Sequence, residues 1–200
     1  MLTRFLGLVV VLLAATLLLA QAGPVRSPSA AVPDVIAGSL DLNGKQANPF
    51  EMAGGKPLVL IFVRTDCPVS NRYAPTIEAL TRKYSGRVFV ALVYPDKTET
   101  PSDIEKHLHD YGYKNTALRD TQHNLVKVSE VEITPEAAVF NGKGDLIYHG
   151  RIDNWYKDFG HARSAPTTHE LDAAIQAALN STSPVPTSVG GVGCYISDLQ

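Results

Sequence analysis

Apolar residues occur in this chain in two kinds of run. The first kind is continuous. Leu58 to Val63 is apolar at every position, with β-branched and aromatic members, and Val88 to Val93 repeats the pattern. Such runs suit central strands covered on both faces. The second kind is spaced at helical intervals. Tyr73, Ile77, Leu80 and Tyr84 predict a helix over 71–84, kinked near its start by Pro75. Thr100-Pro101 reads as an N-cap followed by proline at the first helical position. Ile104, Leu108 and Tyr111 then form one apolar face, and Gly112 ends the helix. Leu171, Ala174, Ile175, Ala178 and Leu179 form a last stripe behind a capping-box pattern, Thr167-Thr168-His169-Glu170.

Shorter signals fill the gaps. Ser39 to Gln46 alternates and contains an Asn43-Gly44 turn, and Phe50 and Met52 alternate after it, which predicts a small N-terminal β-hairpin. Thr116 to Arg119 reads as a short strand, and Asp120 as the cap of a helix over 121–131. Ala137 to Phe140 and Leu146 to His149, joined by Asn141-Gly142-Lys143-Gly144, form a clear hairpin. Helices between buried strands imply parallel crossovers, and the hairpin adds antiparallel strands. The expected fold is an α/β sandwich, with a mixed central sheet and helices on both faces.

The ends of the chain differ from its middle. Met1 to Arg4 is short and positive, Phe5 to Leu19 is almost wholly apolar, and Ala20-Gln21-Ala22 is a small-x-small cleavage signal. That is the pattern of a secretory signal peptide over 1–22. A flexible leader over 23–33, one domain over 34–180 and a Pro/Ser/Gly-rich tail over 181–200 complete the expected organisation. The chain is therefore expected to be exported, periplasmic or extracellular, without stable membrane insertion after cleavage. An uncleaved N-terminal anchor is the alternative. Lys and Arg number 18 against 20 Asp and Glu, with no basic stripe, so nucleic acid is not an expected partner.

Two cysteines carry the candidate chemistry. Cys67 follows a buried strand, sits in a polar hinge and opens a helix. A helix N-terminus favours thiolate over thiol, and the thiolate is the nucleophile. Cys194 ends the glycine-rich stretch Gly190-Gly191-Val192-Gly193. An even cysteine count in an exported chain favours pairing, as a structural disulfide or as a distant resolving partner. The other reading of Cys194 is an unpaired or intermolecular thiol.

This arrangement resembles the thioredoxin-like superfamily. Its redoxin branch includes alkyl-hydroperoxide-reductase and thiol-specific-antioxidant proteins. The resemblance rests on the apolar strand running into Cys67 at a helix start, on Pro75 in the following helix, and on Thr134-Pro135 before the final hairpin. It implies a three-layer sandwich and a cis-proline loop at Thr134 and Pro135 that pairs with an extended substrate backbone. It also implies exchange with protein or small-molecule thiols and disulfides, with no cofactor and no metal. The chain departs from the family's C-x-x-C pattern, since Cys67-Pro68-Val69-Ser70 puts Ser70 at the resolving position. Ser70 is then a hydrogen-bond partner of the thiolate, and any second thiol must come from Cys194 or another molecule. Asp66 replaces the usual aromatic residue and opposes thiolate formation, while Arg64 and Arg72 offset it.

Two alternatives share the fold. A peroxidase site resembles P-x-x-x-T-x-x-C, but Leu60 and Arg64 stand at the proline and threonine positions, so only a weak peroxidase is expected. A copper-handling or other non-catalytic binding module would draw on Cys67, Cys194 and His149 or His161 as soft ligands. The six histidines otherwise read as surface residues. The segment 150–166, with Trp155, Tyr156 and Phe159, is long for a connection and reads as a surface loop.

Overall fold

Strand β1 (Leu58–Phe62) is buried along its whole length, because both faces of the sheet are covered. The computed structural model describes residues 39–184, 186–197 and 199. The expected signal peptide and leader fall outside the described residues. β1 pairs in parallel with β2 (Phe89–Tyr94), and β2 with β3 (Thr116–Arg119). On its other side β1 pairs antiparallel with β5 (Glu136–Phe140), which turns back as β6 (Leu146–Gly150). The sheet is mixed, as the alternation of buried runs and hairpin predicts.

Successive side chains of a strand point to opposite faces, and β1 divides its residues accordingly. Val59 and Ile61 join a cluster with Ile77, Ile104 and Leu171. These come from helices α3 (Ala74–Lys83), α4 (Pro101–Tyr111) and α6 (Glu170–Leu179). Leu58, Leu60 and Phe62 join a second cluster with Ala53, Leu125 and Val126, from α1 (Pro49–Ala53) and α5 (Asn124–Ser129). Two helical layers thus enclose the sheet, which is the thioredoxin-like three-layer arrangement.

Several local expectations shift. The alternation at Phe50 and Met52 is not a strand but α1. The Asn48 side chain accepts from Phe50 N–H at 3.0 Å, Pro49 occupies the first turn, and Gly54 closes the helix in the left-handed region. Cap chemistry outweighs a short alternating pattern here. Residues 39–46 form no regular hairpin. Leu40 bridges both Gln46 and Arg119, and so lies along the outer edge of β3. The single helix expected over 71–84 begins earlier and is broken: α2 (Pro68–Arg72) ends at Tyr73, and α3 starts anew with Pro75 in its first turn.

Helix α4 carries the expected cap at Thr100, completed into a capping box by Asp103. The box expected at Thr167 to Glu170 does not form. His169 is the N-cap and makes no side-chain cap bond, while Glu170 turns to Arg151 and to the Thr168 hydroxyl. Asp120 does serve α5, from further upstream than expected. Its fully buried carboxylate accepts from Asn124 N–H and Val126 N–H, each at 2.9 Å. Replacing Asp120 by alanine strands those donors and is expected to cost about 1–3 kcal/mol in urea unfolding. An unchanged midpoint would show that water replaces the carboxylate.

The long segment after β6 folds into a small antiparallel pair, β7 (Tyr156–Asp158) and β8 (His161–Ala162). Tyr73 meets Trp155 edge-on, with centroids 5.5 Å apart, and its hydroxyl donates to Asp153 at 2.6 Å. The segment therefore packs over the α2–α3 break.

The tail is laid onto the domain. Strand β9 (Ser188–Val189) extends the main sheet in parallel beside β6. Gly150 allows this approach, since a Cβ there would stand 2.0 Å from the Val189 carbonyl oxygen and its φ is +131°. Strand β10 (Cys194–Tyr195) then pairs antiparallel with β4 (Ile133–Thr134). Among the described residues no helix is long and apolar enough to cross a membrane.

Candidate active site

Cys67 lies between β1 and α2, as the residue before the first helical turn, with extended backbone. Pro68 follows in that first turn, where its missing N–H would have no intrahelical partner. Cys67 has no exposed surface, and its thiol donates to the Thr134 carbonyl at 3.2 Å. The Thr134–Pro135 peptide bond is cis, as the resemblance implies.

Strand register brings the second thiol in. Cys194 stands opposite Thr134 across the β4–β10 pair, and the Thr134 hydroxyl donates to the Cys194 carbonyl at 3.4 Å. Both cysteines are unpaired, and both adjoin Thr134: Cys67 through its thiol and Cys194 through the strand register. Burial opposes ionisation of Cys67. The neighbouring Cys194 thiol, Ser70 and Thr134 outweigh it and hold Cys67 below the ordinary thiol value. For Cys194, burial comes first. Donation to Cys67 and the charge of the Cys67 thiolate add to it, pushing Cys194 up to about 12. The first proton lost from the pair therefore leaves Cys67.

The source of this bias differs from the sequence expectation. Helix α2 has only five residues, so few peptide dipoles add up behind Cys67. Individual donors stabilise the thiolate instead. Ser70 is fully buried beside it. The Ser70 hydroxyl makes no bond of regular geometry in the static structure, and the Cys67 sulfur is the acceptor its position favours. Asp66 is neutralised locally by Arg64, at 3.0 Å, which also reaches Asp96 at 3.1 Å. Arg72, expected to help, lies over the Trp155 ring instead.

A buried polar chain fixes the hinge. Thr65 N–H donates to Glu99 at 2.6 Å, and the Asn71 side chain donates to the Thr65 carbonyl at 3.0 Å. Asn71 in turn contacts His107, whose other ring nitrogen meets the Tyr94 hydroxyl, both at 2.8 Å. His107, expected on the surface, is thus buried. Desolvation lowers its pKa to about 4, so it stays neutral. One neutral imidazole donates to Asn71 and accepts from Tyr94. Burial raises Glu99 above the usual carboxylate range, against the stabilising Thr65 N–H.

Glu136 is a further residue that sequence reasoning missed. Its buried carboxylate accepts from Glu132 N–H at 3.1 Å on one oxygen and from Gly191 N–H at 3.1 Å on the other. It ties the loop of Thr134 and Pro135 to the tail. Its place after Pro135 was the only available signal. The soft-ligand grouping does not assemble. His149 lies near Glu130, His161 pairs with Asp158, and no group of three or more His, Cys, Asp or Glu able to hold a metal occurs among the described residues.

Residues 27–159 match the family model described as Redoxin. The chain belongs to the redoxin family. Comparison with curated proteins finds no match. Among solved structures, this redoxin is similar to a hypothetical protein of Sinorhizobium meliloti. The identity is 21%, the TM-score 0.67, and the match covers 78% of this chain and 87% of that one. An uncharacterized conserved protein of Geobacillus kaustophilus gives 20% identity and a TM-score of 0.67, over 80% and 86%. A secreted Mycobacterium tuberculosis disulfide oxidoreductase gives 16% identity and a TM-score of 0.50, over 74% and 96%. At these identities the likeness concerns the fold.

Proposed function

We propose that this redoxin is an exported thiol–disulfide oxidoreductase in which Cys67 is the nucleophile and Cys194 the resolving thiol. The observation that carries the reading is the β4–β10 pairing, which puts Cys194 opposite the Thr134 whose carbonyl accepts from the Cys67 thiol at 3.2 Å, and the two thiols shift in acidity in opposite directions. In the first step the Cys67 thiolate attacks one sulfur of a substrate disulfide. The substrate S–S bond breaks, a mixed disulfide forms, and the other substrate sulfur leaves as a thiolate that takes a proton from water.

Capping Cys67 removes both its negative charge and its acceptor role. Those were two of the causes that raised Cys194, so Cys194 becomes easier to ionise when it is needed. Its thiolate attacks the Cys67 sulfur, forms the Cys67–Cys194 disulfide and releases the second substrate thiolate. The substrate gains two electrons and the protein dithiol loses two. An external thiol reductant restores the dithiol, and the same steps run backward when the partner is more reducing. Ser70 and Thr134 hold the thiolate, and Thr134 and Pro135 present the edge for the substrate backbone. Export is supported by the pattern over 1–22 and by the secreted character of the Mycobacterium relative.

The test is intact mass after reaction with oxidised glutathione, with and without alkylation. One internal disulfide and no free thiol is the expected product. Two alkylated cysteines after prolonged exposure would sink the reading. The acidity of Cys67 gives a second measurement, thiolate absorbance against pH. One thiolate should appear below the ordinary thiol value, and its signal should vanish as pH falls through that lowered pKa. Cys194→Ala removes a donor to the thiolate, so the same transition should move to higher pH. A transition that stays in place would deny the Cys194 contact.

A further inference from the structure

The edge of β4 does not face solvent. The chain's own segment 191–195 lies along it, as an extended strand that places a cysteine against Cys67. Cys67 itself has no exposed surface, so no substrate sulfur reaches it while that strand is docked. The hold is modest and specific. β10 pairs over two residues, and Tyr195 is 77% exposed. Glu136 fastens one end through Gly191 N–H, and Ile196 N–H donates to the Glu132 carbonyl at 2.9 Å at the other. Gly193 fits closely: a Cβ there would stand 1.9 Å from the Thr134 carbonyl oxygen and 2.7 Å from its carbon. Both are backbone atoms, not the far end of a flexible side chain, so neither yields easily.

We infer that segment 191–195 is an internal occupant of the edge at Thr134 and Pro135, displaced by a substrate whose disulfide-bonded cysteine is preceded by glycine. This rests on the reading of Cys67 as nucleophile and names the substrate class of that site. A peptide entering as the tail does pairs its backbone with Ile133 and Thr134. The residue before its cysteine then meets the Thr134 carbonyl, where a side chain collides. The tail and the substrate compete for one edge, so substrate reacts only with the fraction of molecules in which the tail is lifted. When the tail redocks, Cys194 returns to the position from which it resolves the mixed disulfide. Opening and resolution are two states of the same strand.

The experiment follows release of thionitrobenzoate from two synthetic peptides, Val-Gly-Gly-Val-Gly-Cys-Tyr and Val-Gly-Gly-Val-Leu-Cys-Tyr, each carrying it on the cysteine. The reduced full-length protein, Gly193→Val and Glu136→Gln are compared under single-turnover conditions. Attack of Cys67 on the peptide sulfur breaks the bond to thionitrobenzoate, which leaves as the coloured thiolate. Gly193→Val forces the tail off the edge without altering the core. It should react with the glycine peptide about tenfold faster than the parent, the factor for a tail docked in nine molecules of ten. Glu136→Gln presents an amide N–H to donors it formerly accepted from, and should move the rate the same way. If that variant does not fold, Gly193→Val decides alone.

In every protein the glycine peptide should outrun the leucine peptide by about tenfold or more, the usual worth of one misfitting group in a site. Equal rates in parent and Gly193→Val, or equal rates for the two peptides, would overturn the inference and leave Cys67 a nucleophile. No release from any protein would overturn the inference together with the oxidoreductase reading.

Discussion

Cys67→Ser should lose disulfide reduction by a factor on the order of a thousand or more, because a serine hydroxyl is not ionised near neutrality and cannot exchange with a disulfide. The fold should survive. Cys67 is fully buried, and serine is close to it in size, so the cost is that of one extra buried hydroxyl beside Thr134 and Ser70. Cys194→Ser should behave differently. Its first step remains, since the Cys67 thiolate keeps the Ser70 and Thr134 donors, but nothing resolves the product. A mixed disulfide should accumulate and be visible as added mass, while multiple turnover with a thiol reductant slows. The contrast is the informative result. Loss of both steps in Cys194→Ser, or retained turnover in Cys67→Ser, would reverse the assignment of the two thiols. Insulin reduction followed by turbidity, with intact mass of the trapped species, measures both.

Phe62→Ala is the largest expected loss of stability. Phe62 is the last residue of β1, has no exposed surface, and pairs with Val93 on one side and Glu136 on the other. Removing its ring loses the transfer energy of the aromatic group and leaves a cavity that a sheet interior cannot close, about 3–5 kcal/mol in all. A domain has only about 5–15 kcal/mol to lose, so urea unfolding should shift to much lower denaturant. The same cavity lies beneath the backbone that carries Glu136, so a loosened tail and a faster first exchange step should accompany the loss. A change below about 1 kcal/mol would mean that the core refills the space.

The layers were readable from periodicity. Continuous apolar runs became β1 and β2 because both faces of these strands are covered. The stripes at Ile77, Ile104 and Leu171 became helices on one face of the sheet. Caps were readable where side-chain and backbone chemistry coincide within a few residues, as at Thr100, Pro101 and Gly112. They misled where a residue had a stronger distant partner. Glu170 fits a capping box but is taken by Arg151, which the sequence places on another element. Phe50 and Met52 alternate, but Asn48 and Pro49 begin a helix through bonds made within one turn. His107 reads as a surface residue because histidines are more often exposed than fully buried. Its burial comes from meeting Tyr94 and Asn71 on two other elements.

The sequence by itself determined that a lone thiol stands between a buried strand and a helix, that a serine, Ser70, stands three positions after it, and that a second cysteine ends a glycine-rich tail. Those are properties of residue type and order. Only the tertiary structure decided that the strand carrying Cys194 meets the Thr134 to whose carbonyl Cys67 donates. The meeting depends on the register of Cys194 against Thr134, on the closeness that Gly150 and Gly193 permit, and on Glu136 reaching Gly191. Strand register between segments far apart in the chain is set by packing and by which backbone groups remain unpaired, and local sequence carries no record of either. The same holds for the acidity of Cys67. The sequence suggested a helix dipole, whereas α2 is short and the groups that lower Cys67, on Cys194, Ser70 and Thr134, come from segments that the fold alone brings together.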